Sequence, residues 1–201
     1  MKAFSYVVET DSGFAPNPFW GYCTLATCKP RIRKAAKVGD WVFGFGPASW
    51  RMEGKLIFAM RVDEVIPFEI YDQDPRFQSK KPSFSGTFQQ RCGDTIYFKD
   101  PNNGWQQRES FHCEDDVKHN LSGINILVSQ YFWYFGKKAP LMQPEHKEII
   151  KKGRGHNSST NPSVVDGVID WLKKTWPLGI HGEPVDPNTI SFGNRKITST
   201  V

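Results

Sequence analysis

The sequence has no long hydrophobic run, and its apolar stretches fall far short of the roughly 20 residues that span a bilayer. Met1 to Val8 carries one lysine and no apolar core of a secretion signal. No membrane partner is expected, and the chain reads as cytoplasmic. Cysteine is scarce, limited to Cys23, Cys28, Cys92 and Cys113 in 201 residues. A chain this long and this aromatic needs no disulfide staples, so reduced thiols are expected. Close-spaced Cys or His pairs do not occur in both halves, and although Cys113 adjoins His112, no metal site is expected. The phosphate-cradling glycine loop ending in Lys-Ser or Lys-Thr is missing. Gly44-Phe45-Gly46 lacks the third glycine and the helix of a dinucleotide fingerprint. No cofactor is expected, and no catalytic set is named. Repeats and low-complexity blocks are also missing, and Pro and Gly are scattered, which predicts one domain over residues 1–201.

What is present is 38% hydrophobic and 14% aromatic, enough for one sizeable core. The net charge of +5 and a pI near 9.0 favour phosphate-bearing partners. From Lys29 to Lys37 the chain reads KPRIRKAAK, placing Lys29, Arg31, Arg33, Lys34 and Lys37 together without an acid. A second basic stretch, Lys147, Lys151, Lys152 and Arg154, is diluted by Glu145 and Glu148. Each stretch is either a phosphate-binding face or a solvated helix face.

Aromatic and β-branched content predicts strands at Ala3 to Val8, Trp41 to Phe45 and Lys55 to Ile66, the last long enough to be bent or broken. The first half of Ile124 to Phe135 reads as a buried strand. Asp-Pro-Asn-Asn-Gly predicts the turn of a hairpin between Thr95 to Lys99 and Trp105 to Glu109. Pro30 suits the first turn of a short helix that Gly39 ends. Pro67 to Ser85, rich in Pro, Asp, Lys and Ser, reads as an ordered surface excursion, and Pro144 to Lys152 as a helix closed by Gly153. Ser163 to Trp176 is the clearest helix: Ser163 and Asp166 have capping-box-like spacing, and Val165, Val168, Ile169 and Leu172 fall on one face. An α+β fold follows, with a mixed or antiparallel sheet and peripheral helices.

The stretch GFAPNPFWGYCTLATCK, Gly13 to Lys29, is the most unusual in the chain. Pro16 and Pro18 pin the backbone on either side of Asn17, so the loop loses little entropy on ordering. Phe14, Phe19, Trp20 and Tyr22 put π surfaces on it, and Asn17 offers an amide able to pair with a base edge. Stacking walls and a polar reader are what a flipped base requires. The alternative is a loop whose aromatics merely cover the core. Asp11, at its mouth, is either a ligand contact or a turn former before Ser-Gly. A nucleophilic cysteine served by His156 or His181 also stays open.

FSYVVETDSGFAPNPF followed by CTLATCKPRIRKAAKVGDWVFGFG resembles the opening of the nucleotide modification associated domain family, second type. Phe4 to Gly46 carries the likeness most clearly, and YDQDPRF at Tyr71 to Phe77, FWYFG at Phe132 to Gly136 and Arg154-Gly155-His156 agree with it. The resemblance implies association with systems that make, recognise or process modified bases in phage and bacterial DNA. It therefore implies a bacterial cell or a phage-infected host. Gly39-Asp40-Trp41 and the run KLIFAMRVDEVIPFEIYD are more distantly similar to PUA-like domains, including EVE domains. That likeness implies a strongly bent sheet or small barrel and an aromatic-walled base pocket. The long N-terminal loop and the C-terminal third depart from that pattern.

The expected base pocket is Asp11, Phe14, Asn17, Phe19, Trp20, Trp41 and Tyr71. The expected phosphate contacts are Lys29, Arg31, Arg33, Lys34, Arg154 and His156. The expected ligand is nucleic acid, DNA with modified bases, or a nucleotide. Alternatives are an enzyme using the polar set Asp11, Asn17, Cys23, Lys29 and His156, and a subunit that docks partner proteins of a modification system.

Overall fold

A computed structural model describes residues 1–110, 112 and 117–186. Cys113 lies outside the described residues. The strands are β1 (Ala3–Val7), β2 (Cys23–Leu25), β3 (Trp41–Phe45), β4 (Leu56–Arg61), β5 (Glu64–Pro67), β6 (Tyr97–Asp100), β7 (Gly104–Gln107), β8 (Asn125–Ser129), β9 (Phe132–Tyr134), β10 (His156–Asn157) and β11 (Gly179–Ile180). The helices are α1 (Pro30–Ala35), α2 (Phe68–Gln73), α3 (Phe88–Arg91), α4 (Val117–Leu121) and α5 (Pro162–Thr175).

Six strands form one sheet in the order β10-β1-β3-β4-β9-β11. The pairs β1·β3 and β9·β11 are parallel and the others antiparallel, so the sheet is mixed, as expected. A three-strand sheet, β2-β8-β5, and the β6·β7 hairpin stand beside it. The expected small barrel is a correction: among the described residues β10 and β11 end the sheet unpaired with each other, so it stays open. Strand β3 is buried along its whole length, which explains its unbroken apolar run. A Cβ on Gly44 would overlap the Phe58 ring of the neighbouring strand, so glycine lets that ring lie flat on the sheet.

Helix α5 buries Val165, Val168, Ile169 and Leu172 in the same core as the large sheet. Each such side chain contributes about 1.5–3 kcal/mol of apolar burial. Its cap is Asn161, whose side chain accepts from Ser163 N at 3.0 Å, with Pro162 in the first turn. Ser163 is therefore inside the helix rather than its cap. The expected helix at Pro144 to Lys152 is a 3-10 helix over Pro144–Ile149, burying His146 and Ile149 at the three-residue spacing of that form.

The segment from Pro67 to Ser85 is ordered, as expected, but it is not confined to the surface. It holds α2 and a 3-10 helix at Pro75–Lys80, and Phe68, Tyr71, Phe77 and Lys80 are buried. Phe68, Tyr71 and Phe77 join Phe14, Ile96, Tyr97, Ile126 and Val128 in a second core. No helix of the described residues is long and apolar enough to cross a membrane.

Candidate functional site

The proline-pinned loop spends its aromatic groups on packing. Asn17 pairs with Thr24 through two backbone hydrogen bonds of 2.9 Å. Its side-chain amide donates to Cys92 O at 2.9 Å, and its Oδ1 accepts from Phe19 N at 3.2 Å and Lys80 Nζ at 2.6 Å. Asn17 is 0% exposed, so the expected reader amide is saturated within the protein. Phe14 lies in the second core, Phe19 meets Phe88 edge-on at 6.2 Å, and Trp20 alone of these rings is exposed, at 41%.

Lys80 ties this loop down, donating also to Asn17 O at 3.1 Å and Tyr22 O at 3.0 Å. Burial pulls its pKa to about 8, opposed by the field of Asp94. Asp94 in turn accepts from Thr24 Oγ1 and Tyr71 OH, both at 2.6 Å, and burial raises its pKa. Tyr71 is therefore a strut of a buried polar network. Trp41 stacks with Phe43 and with Trp133, at 5.9 and 6.2 Å. Asp11 accepts from Tyr134 OH at 2.6 Å and Val185 N at 3.1 Å, and burial raises its pKa. Asp11, Phe14, Asn17, Phe19, Trp41 and Tyr71 are thus all buried, Phe14 and Tyr71 in one core, and their polar groups bond to the protein itself. Burial also pushes the Cys23 thiol up to about 12, keeping it protonated.

The cationic residues behave differently. Strand β10 pairs with β1 so that His156 faces Tyr6, and the Lys29 ammonium lies over the Tyr6 ring at 4.7 Å from its centroid. Tyr6 thereby brings Lys29 and His156, distant in sequence, to one sheet edge. A cleft of about 740 Å³ opens there, and Lys29, Arg31, Arg154 and His156 all line it. Arg154 stands between Gly153 and Gly155, both at positive φ, a turn that glycine makes without strain. His156 is held below its ordinary pKa, first by burial and then by Arg31 and Lys29. Its ring is neutral at neutral pH, with one nitrogen to donate and one to accept.

The turn into the cleft is strained. Cys28 and Lys29 both have left-handed backbones, φ 54° and 40°, a conformation costing non-glycine residues roughly 1–3 kcal/mol each. Asn120 Oδ1 accepts from Cys28 N at 2.8 Å, and Arg33 Nε donates to Cys28 O at 2.8 Å, holding the turn in that shape.

Arg33 is therefore not available to a ligand. It is 0% exposed, and its guanidinium also donates to Asn125 O at 2.8 Å and to Asn120 O. The group is also placed over the Phe68 ring at 5.3 Å and packs on Gly123, where any Cβ would overlap it. Arg31 and Arg33 diverge because residues two apart on a helix point about 200° apart. Lys34 is exposed on α1 outside the lining of the cleft.

Glu9, Cys28, His112, His119 and Asn120 also line the cleft, and sequence reasoning did not select them for it. Glu9 is the one acid among the lining residues described. The sequence offered one pointer, the glycines flanking Arg154 beside His156. Among the described residues, no three His, Cys, Asp or Glu side chains gather as metal ligands would.

An open mixed sheet with a cationic cleft at its edge defines an α+β protein suited to holding an anionic ligand. The family model of nucleotide modification associated domain 2 (Nmad2) matches residues 1–190, and the chain belongs to that family. Membership associates it with nucleotide modification. No curated protein and no solved structure matches it.

Proposed function

We propose that this chain, working as one domain, recognises a nucleotide of base-modified DNA in the cleft between α1, β10 and the Gly153 to Gly155 turn. The phosphate sits among Lys29, Arg31 and Arg154, and the base edge meets Glu9 and the His156 ring. The supporting observation is the convergence of Lys29 and Arg31 with Arg154 and His156 on one cleft, in a family associated with nucleotide modification. Cations supply affinity that is blind to sequence, while base-edge groups supply discrimination. A carboxylate such as Glu9 accepts from an exocyclic amino group, and a neutral imidazole serves either as donor or acceptor. The enzymatic alternative retains Lys29 and His156 in the cleft, but Asp11, Asn17 and Cys23 are buried elsewhere.

Fluorescence anisotropy with plain and base-modified oligonucleotides tests this reading. Wild-type protein is expected to prefer the modified strand, and Arg31→Glu with Arg154→Glu to lose binding to both. Unchanged binding by that double variant overturns the site. Equal affinity for plain and modified strands removes the base-reading half of the proposal.

A further inference from the structure

A second hollow, of about 420 Å³, lies against the first. It is lined by the Gly46 to Ser49 turn, Glu53, Lys151 and Lys152, and it shares Glu9 and Arg154 with the cleft described above. Arg154, between Gly153 and Gly155 at positive φ, lines both. The two hollows together present Lys29, Arg31, Arg154, Lys151 and Lys152 against Glu9 and Glu53 among the described residues. Lys152 is only loosely engaged, with Glu53 at 3.9 Å and 80% of its side chain exposed. Lys151 donates to Lys152 O.

Resting on the cleft reading above, we infer that the two hollows form one track for a single polynucleotide strand, with Arg154 at the phosphate where it passes from one to the other. A mononucleotide has no group to put in the second hollow. Its phosphate is satisfied by Lys29, Arg31 and Arg154, leaving Lys151 with no carboxylate partner among the described residues and Lys152 with only the loose contact to Glu53. A strand supplies a phosphate at every nucleotide and so meets all five cations in turn. Both hollows are recesses. A duplex reads protruding helices or ribbons entering its groove, whereas a recessed cationic groove follows a flexible single strand. Gly46, Pro47, Ala48 and Gly54 in the lining of the second hollow are small residues that leave room for a sugar and base rather than reading one. The first hollow thus discriminates, and the second adds affinity indifferent to base identity.

The test measures anisotropy of labelled thymidine di-, tetra- and octanucleotides, a uridine octanucleotide and the matching DNA duplex. The proteins are wild type, Arg31→Glu and the pair Lys151→Glu with Lys152→Glu, each checked by thermal melting. The octanucleotide is expected to bind at least tenfold more tightly than the dinucleotide. The lysine pair is expected to abolish that gain while leaving the dinucleotide unchanged. Its salt slope should fall by about 1.4, the loss of two phosphate contacts on a single strand at about 0.7 each. Equal affinity for di- and octanucleotide, an unchanged slope, or tighter binding of the duplex overturns the track. If Arg31→Glu weakens every length while the lysine pair weakens none, the cleft stands and the track fails. If Arg31→Glu weakens none, both readings fall. The uridine strand distinguishes RNA from DNA as the source of the phosphates, and preference for either supports the track.

Discussion

Replacing Arg33 by methionine keeps the aliphatic stem and removes the guanidinium. This withdraws a charged donor from the carbonyls of Cys28, Asn120 and Asn125. Asn120 O keeps Gly123 N as a second donor at 3.1 Å, so the loss falls mainly on the other two. At about 1–3 kcal/mol for each buried group deprived of its partner, the cost is roughly 2–6 kcal/mol. Part of it is returned, because burial opposes the charged form and draws the Arg33 pKa down to about 10. A net loss of about 3 kcal/mol results, at the lower end for breaking a buried charged network. For a chain of this size each kcal/mol moves the midpoint by about 2–4 °C, so Tm should fall by roughly 6–12 °C. Arg31→Met, at an exposed position, should leave stability within about 0.5 kcal/mol. It should instead weaken oligonucleotide binding and lower the salt slope by about one contact. Thermal melting and anisotropy across a salt series separate the two effects. An Arg33→Met protein that melts with wild type refutes the argument, as does one whose folded fraction binds as poorly as Arg31→Met.

Ligand binding should strengthen as pH falls from neutrality through the histidine range. Burial first, and then Arg31 and Lys29, hold the His156 pKa down in the free protein; a bound anion offsets the two cations, so binding takes up a proton. His156→Gln should flatten that dependence, and a variant with the wild-type pH profile contradicts it. Asp11→Ala should cost about 2–4 kcal/mol and expose Gly182 to Asp186, since Asp11 holds Val185 N and Tyr134 OH together. Burial raises the Asp11 pKa, so its contribution is complete below the ordinary carboxylate range and declines as pH rises through the raised value; the variant should lack that slope. Hydrogen exchange reports the release, and undiminished protection at Val185 and Asp186 argues against it. Asn17→Ala and Lys80→Met should each destabilise the protein without altering affinity per folded molecule. Their losses should couple by about 0.5–3 kcal/mol in a double-mutant cycle, because a hydrogen bond of 2.6 Å joins their side chains. Strict additivity counts against a shared network.

Local pattern made much of the fold readable. The apolar run Trp41–Phe45, the Asp-Pro-Asn-Asn-Gly turn and the i, i+3, i+4 stripe of Val165, Val168, Ile169 and Leu172 each carry their own periodicity or turn chemistry. Residues Lys55 to Ile66 read as one long strand that bends or breaks, and they form β4 and β5 in different sheets. The buried helices after Pro67 were hidden because Tyr71, Phe77 and Lys80 lie among Asp, Gln and Ser, and burial there depends on partners far along the chain.

The sequence by itself determined the family, the basic character of Lys29 to Lys37 and the prolines that fix the backbone on either side of Asn17. Tertiary structure alone decided what those features do. It turned Asn17 and Arg33 inward, where backbone carbonyls and Lys80 consume their polar groups, and it set Lys29 and Arg31 beside Arg154 and His156 through the pairing of β1 with β10. The physical reason is that a side chain's type limits which bonds it can make. Which partner it meets, and whether water competes, is set by strands and loops brought together from distant parts of the chain.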